Sequence, residues 1–295
     1  MWKFYYKIKE RLKKYSWIIK AYEFLLIKRR ELFRRHPQLP NDFCFHSMYI
    51  HTNDPFTQKN WKHLRRGYDD EIFIKETVQK IRFNTMCSYD ALANLAAIVR
   101  YLEEGQVPGA FVETGVCQGG SSALMAMVSL KWGKTRRHLH LFDSFEGLPR
   151  PIKEKDYCEW MKWDWGITAK DCDGKMISSG ALIAAKADAE EAIFSIAQYP
   201  EALATFHVGW FQNTVPLAAK SMGPVALLRL DGDLYESTLV CLRHLYPLVI
   251  RGGFVIIDDW GLKGCRTACE EYFEEIGIRP YIHFVDGTVR YFVKE

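Results

Sequence analysis

The sequence lacks the paired CxxC…CxxC spacing of a structural zinc site. Its eight cysteines stand apart at positions 44, 87, 117, 158, 172, 241, 265 and 269, a scatter that reads as reduced, mostly buried thiols. It also lacks any apolar run near the ~20 residues that a membrane span needs. Lys3, Lys7, Lys9, Arg11, Lys13 and Lys14 break up the early apolar residues where a signal peptide would require a continuous core, and a cytoplasmic protein is the expectation. Internal repeats and low-complexity tracts are missing, and 48% hydrophobic and 26% charged side chains are the composition of an ordinary globular protein, for which disorder is not the default reading. A large net charge is missing as well. The formal +4 hides an asymmetry, since residues 1–40 hold twelve Lys/Arg against three Glu and leave the remainder net acidic. That acidic remainder argues against a nucleic-acid substrate, because phosphate backbones select basic surfaces.

What is present divides the 295 residues into three parts. Residues 1–40 form a basic arm, in which Trp2, Tyr5, Ile8, Leu12, Tyr15, Ile18, Ile19 and Tyr22 recur at helical spacing among lysines and arginines. An amphipathic helix over 1–36 suits peripheral contact with an anionic membrane, and equally packing on its own domain or on a second subunit of a homo-oligomer. Pro37 and Pro40 break the pattern, and 41–84 reads as linker and cap, with a helical pattern opening near Asp70. A second pattern runs from Ser88, an N-cap candidate, to Leu102.

Residues 85–295 then alternate apolar runs with helical stretches: 110–114, 138–145, 204–211, 225–233 and 252–259. Short apolar runs separated by helices predict a parallel sheet buried on both faces. Two last runs, 280–285 and 289–295, flank Asp286-Gly287-Thr288, a hairpin signal. The expected fold is therefore α/β and Rossmann-like, a seven-stranded, mostly parallel sheet of the nucleoside-binding (class I) methyltransferase type with a C-terminal antiparallel hairpin and an N-terminal helical extension. Residues 151–180 interrupt the alternation and carry Tyr157, Trp160, Trp163 and Trp165. They suit a lid over a substrate, or a helical insertion that packs its tryptophans.

The first strand run ends in Glu113-Thr114-Gly115-Val116-Cys117-Gln118-Gly119-Gly120-Ser121-Ser122. Glycines let the backbone approach a ligand, and open α/β sheets bind ligands at the carboxyl ends of their strands. The G-x-G-x-x-G of a dinucleotide site is absent. Glu113 would repel a pyrophosphate but could accept hydrogen bonds from an amino group, which favours S-adenosylmethionine. Asp143 lies 28 residues beyond Gly115, where a carboxylate can accept the ribose hydroxyls of an adenosine.

Asp231 and Asp233 close the fourth strand run, and Asp258 and Asp259 the fifth. If the two strands are parallel neighbours their tips lie ~4.8 Å apart, and the carboxylates gather beside the nucleoside. Protons or a cation must neutralise them. Hard oxygen ligands without histidine or cysteine favour Mg²⁺ or Mn²⁺.

These segments resemble the TylF-like macrocin O-methyltransferase family over about 84–295. The likeness rests on Asn84-Thr85-Met86; on Phe111 to Val116 with Gly119-Gly120; on Asp143-Ser144-Phe145-Glu146-Gly147-Leu148-Pro149; on Val208-Gly209-Trp210-Phe211; on Leu230 to Thr238; and on Ile257-Asp258-Asp259-Trp260. The resemblance implies magnesium-dependent methyl transfer from S-adenosylmethionine to a hydroxyl of a sugar on a natural product or glycan. It implies Asp231, Asp258 and Asp259 as metal ligands, and places Thr85, Met86, Glu113, Gly115, Gly119, Ser122, Asp143, Ser144 and Phe145 at the cofactor. His283 matches a histidine near the acceptor in similar enzymes, so His283 or Asp231 is the expected base. Cys117-Gln118 stands where an aromatic and an arginine are common, and Trp260 where a tyrosine is frequent, which leaves the acceptor open. A phenol or catechol methyltransferase is one alternative, and a silent S-adenosylmethionine-binding module targeted by its basic arm is another.

Overall fold

A computed structural model describes residues 69–158 and 167–295. The basic arm, most of the 41–84 stretch, and Trp160, Trp163 and Trp165 lie outside the described residues. Helix α1 (Asp69–Ile81) occupies the helical pattern that opens near Asp70. In α2 (Tyr89–Glu104) the Ser88 hydroxyl accepts the Ala91 N–H, as its position predicts, and the buried stripe Leu92, Leu95, Val99 and Leu102 faces the sheet.

The strands β1 (Ala110–Thr114), β2 (Leu139–Asp143), β3 (Ala204–Val208), β4 (Val225–Leu230), β5 (Val249–Ile257), β6 (His283–Phe284) and β7 (Arg290–Val293) form one sheet in the order β3-β2-β1-β4-β5-β7-β6. The first five are parallel, β7 runs antiparallel to β5, and β6 antiparallel to β7. This is the sheet expected from the alternating runs. Every residue of β1 and of β4 is buried, because helices cover both faces of a parallel sheet. Those helices are α3 (Gly120–Trp132), α4 (Lys153–Asp156), α5 (Lys186–Glu190), α6 (Phe211–Ala218), α7 (Tyr235–Leu245) and α8 (Lys263–Glu275).

Strands β2, β3, β4 and β7 stop two to three residues short of their expected runs, and two others depart differently. The fifth begins three residues earlier than its apolar run, at Val249. Its register with β4 slips between Val225↔Val249 and Leu227↔Phe254, and Gly252, at φ +80°, takes up the bulge. The sixth keeps only His283 and Phe284 of its run; Pro280 cannot donate to a ladder. The hairpin turn is where Asp286-Gly287-Thr288 predicts it, and Asp286 Oδ1 accepts the N–H groups of Thr288 and Val289 at 2.9 and 2.8 Å. In the 151–180 segment the described parts are held by bridges Pro149↔Ser178 and Ile152↔Asp173.

Candidate active site

Sheet order brings the tips of β1, β4 and β5 side by side. Thr114 pairs with Leu230 and Leu230 with Ile257, and the ladder continues one step past each strand. Asp231 N–H donates to Thr114 O at 2.8 Å and Asp258 N–H to Leu230 O at 2.9 Å. The order also reverses between β1 and β4, and at such a switch point the connections leave in opposite directions and open a crevice.

The glycine loop occupies that crevice. Gly115 has φ +96°, and a Cβ there would stand 1.7 Å from the Asp231 carbonyl oxygen, so only glycine fits against the β4 tip. Gly120 is pressed against Asn84 and Thr85. Its N–H donates to Asn84 O at 3.0 Å, and Asn84 Nδ2 donates to Gln118 O at 3.2 Å. The half-buried Thr85 and Met86 are thus carried over the loop. At the tip of β2, Asp143 accepts the Cys117 N–H through Oδ2 and the Phe145 N–H through Oδ1, each at 2.7 Å. Burial pushes its carboxyl above the usual range, opposed by those two backbone donors. Ser144 Oγ closes the next turn by donating to Gly147 O at 3.0 Å.

Beneath the loop lies a group the sequence reading missed. The Arg229 guanidinium, 2% exposed, donates to Glu113 Oε1 at 2.7 Å, to Asp231 Oδ2 at 2.6 Å, to Cys87 Sγ at 3.2 Å and to Asp258 Oδ1. Glu113 is wholly buried and takes the Ser122 hydroxyl on its other oxygen. It therefore anchors the floor of the loop, with both oxygens engaged inside the protein. The available signal was an arginine inside the apolar run VALLRL, since a buried guanidinium demands carboxylate partners.

The strand-tip carboxylates do gather, in a grouping that differs by one residue from the expected one. Oxygens of Asp231, Asp233 and Asp259 lie within 4.8 Å of one another, and Asp259 Oδ2 accepts the Asp233 N–H at 2.9 Å. Asp258 closes the neighbouring strand tip and, like Asp231, has one oxygen held by Arg229. Burial, followed by repulsion from neighbouring aspartates, pushes Asp233 and Asp259 well above the carboxylate range. Burial raises Asp258 to about 7 against the pull of Arg229.

His283 is not brought to this cluster. Its strand is the outermost, paired through Tyr291 with β7, and Tyr291 in turn pairs with Ile256 of β5. Two inter-strand steps of ~4.8 Å separate it from the β5 tip. Its ring stacks on Tyr291 at 4.6 Å and meets Tyr281 edge-on at 4.7 Å, so the described contacts are those of a packed strand histidine.

A shallow surface cleft begins one residue past Asp233, between the bridged segment and the starts of α6 and α7; Pro149, Ile152, Met176, Gln212, Leu234 and Ser237 help line it. Asp156 forms its wall by accepting the Tyr235 N–H at 2.7 Å and the Ile152 N–H at 2.6 Å. Asp156 and Gln212 were not singled out from sequence, because both matter only once the 150s fold against α7.

The family model described as macrocin O-methyltransferase (TylF) matches residues 81–294. The chain belongs to the macrocin O-methyltransferase family. A relative from Streptomyces olivaceus, 8-demethyl-8-(2,3-dimethoxy-alpha-L-rhamnosyl)-tetracenomycin-C 4'-O-methyltransferase, is 36% identical over 205 residues, covering 70% of this chain and 73% of that protein. Demethyldecarbamoylnovobiocin O-methyltransferase from Streptomyces niveus is 30% identical over 234 residues, 79% of this chain and 84% of the relative. Among solved structures, the O-methyltransferase NovP superposes with a TM-score of 0.60 at 30% identity, covering 72% of this chain and 82% of that one. The macrocin O-methyltransferase match begins at the end of α1 and runs through β7. The protein is a methyltransferase with the class I fold, and that fold implies S-adenosylmethionine as donor.

Proposed function

We propose that this protein transfers a methyl group from S-adenosylmethionine to a hydroxyl of a sugar, on a natural product or glycan, with the help of a divalent cation. The observation that carries the proposal is the in-register meeting of the Gly115 turn with the carboxylates of the β4 and β5 tips. It puts the glycine turn beside a cluster of acidic oxygens.

The donor set fits Mg²⁺ or Mn²⁺. Glu113, Asp231 and Asp258 share one guanidinium, and Asp233 and Asp259 make no ion pair with it, so protons or an added cation must neutralise the remaining carboxyls. Asp231 and Asp259, flanked by Asp233 and Asp258, would hold the ion. Bound there, such an ion supplies Lewis acidity that lowers the pKa of a neighbouring hydroxyl.

The chain's own groups do the rest. Asp143 accepts ribose hydroxyls, Thr85 and Met86 cover the cofactor, and the Gly115–Ser122 turn carries its methionine end. The acceptor enters through the cleft beside Leu234. Asp231, whose side chain is 25% exposed and so the most open of the Arg229-bound carboxylates, takes the hydroxyl proton as general base. The acceptor oxygen then displaces the methyl group in line: the O–CH₃ bond forms, the S–CH₃ bond breaks, and S-adenosylhomocysteine leaves. The same-family relatives methylate tetracenomycin and novobiocin compounds by name, which supports a glycosylated acceptor. Segment 1–36 is proposed as a contact with an anionic membrane surface or a second subunit. Among the described residues no helix is long and apolar enough to cross a membrane.

The test is a panel of rhamnosides and related glycosides set against catechols, with labelled methyl donor. Label on a sugar hydroxyl is expected. Label confined to catechols would replace the acceptor class, and donor binding without transfer to any acceptor would make the chain a silent binding module.

A further inference from the structure

Three of the nine histidines meet on one face of the sheet, at the edge away from the aspartates, and the methyl-transfer reading uses none of them. His138 and His140 are two residues apart at β2, so their side chains leave the same face, and His207 leaves that face from β3 beside them. His140 Nδ1 and His207 Nε2 are 3.1 Å apart. The His207 ring is fixed by stacking on the buried Phe142 at 4.2 Å. The His138 ring lies 4.6 Å from that of His140, and its Nε2 is in hydrogen-bond contact with Thr205 Oγ1 at 2.7 Å.

Two nitrogens bound to one ion at 2.0–2.1 Å would be about 2.9 Å apart at a right angle and about 3.4 Å apart at a tetrahedral one. The observed separation falls between these values. In the absence of an ion the pair shares one proton, and binding needs a tautomer shift with no loss of charge. Burial and the neighbouring rings push His140 down to about 4 and burial lowers His207. Neither ring therefore surrenders a proton to bind metal near neutral pH. His138 is held by Thr205 in the ion-free protein, and that contact must break for its ring to join the pair.

We propose that His140 and His207, completed by His138 turning from Thr205, form a second metal site that takes a nitrogen-preferring divalent ion of the Zn²⁺, Ni²⁺ or Cu²⁺ class. Imidazoles without carboxylates favour these ions over Mg²⁺, so the site is chemically separate from the aspartate cluster. An ion here clips the edge strand β3 to β2, whose tip carries Asp143; Gly209 N–H already donates to Asp143 O at 2.9 Å.

The test titrates Zn²⁺ into the chelator-stripped 295-residue chain held in saturating Mg²⁺, comparing wild type with H140N/H207Q and with H138A. One equivalent of Zn²⁺ should disappear from the isotherm of the double variant, and His138→Ala should weaken it about tenfold or more. Identical isotherms for wild type and a folded double variant would overturn the site. Zinc-edge anomalous diffraction from soaked wild-type crystals needs no variant: a peak between His140 and His207 is expected, and its absence at saturating Zn²⁺ would equally overturn it.

Discussion

Arg229 pairs with Glu113 across the β1–β4 ladder, and its fork reaches Asp231 and Asp258 as well. One buried cation therefore holds three acidic side chains from three strands in fixed positions at the base of the crevice. Arg229→Met preserves the volume but strands those carboxylates, and the expected loss is about 3–5 kcal/mol of unfolding free energy by chemical denaturation. A variant as stable as wild type would show that the carboxylates are neutralised by other means. Gly115 is constrained more severely. A methyl group there meets the Asp231 carbonyl at 1.7 Å on a backbone at φ +96°, so Gly115→Ala should cost more than about 4 kcal/mol or abolish donor binding, read by calorimetry with S-adenosylhomocysteine. At this scale the strand-end placement of Gly115, Asp143 and the paired aspartates was legible, since glycine and aspartate closing apolar runs mark where strands stop. The Arg229 network was not, because Glu113 and Arg229 are 116 residues apart and meet only through the β1–β4 register. Asp233 joins the trio through its backbone, whose N–H donates to Asp259, a contact between two strand tips that residue type alone does not announce.

Among the elements, helix α7 starts without a capping side chain of its own, and Asp156 from the bridged segment supplies one by accepting the Tyr235 N–H. Asp156→Ala removes that bond and the one to Ile152. A loss of about 1–2 kcal/mol is expected in thermal or chemical unfolding, and an unchanged midpoint would detach the segment from α7. The β2–β3 face titrates in the opposite sense from a paired histidine. His140 falls from the ordinary 6.5 to about 4 when folded. As pH drops below 6.5 the unfolded chain takes up a proton that the folded chain refuses until about 4, so stability declines across that window. His140→Asn should flatten this part of the stability profile, and an unaltered slope would assign the acid sensitivity elsewhere. The parallel strands were legible at this scale because apolar runs bounded by glycine and aspartate have few other readings. The length of β6 and the Gly252 bulge were not, being set by pairing partners far away in the chain. His283 shows the same limit: its residue type suits a base, whereas its place in the hairpin puts it on the outermost strand.

For the molecule as a whole, the resemblance read over 84–295 and the family match over 81–294 bound the same methyltransferase region. Fold and reaction class were legible because strand order, glycine turn and acidic tips recur together. The cleft beside Leu234 was not, since it is walled by the 150s, by Met176 and by the start of α7, segments whose meeting no local pattern announces. The central claim is that acidic oxygens beside the donor hold a divalent ion on which turnover depends. Its most direct test is the rate of labelled methyl transfer to a sugar acceptor before chelation, after exhaustive removal of metal, and after Mg²⁺ is returned. The account predicts loss on chelation and recovery with Mg²⁺; undiminished transfer by the metal-free protein would contradict it.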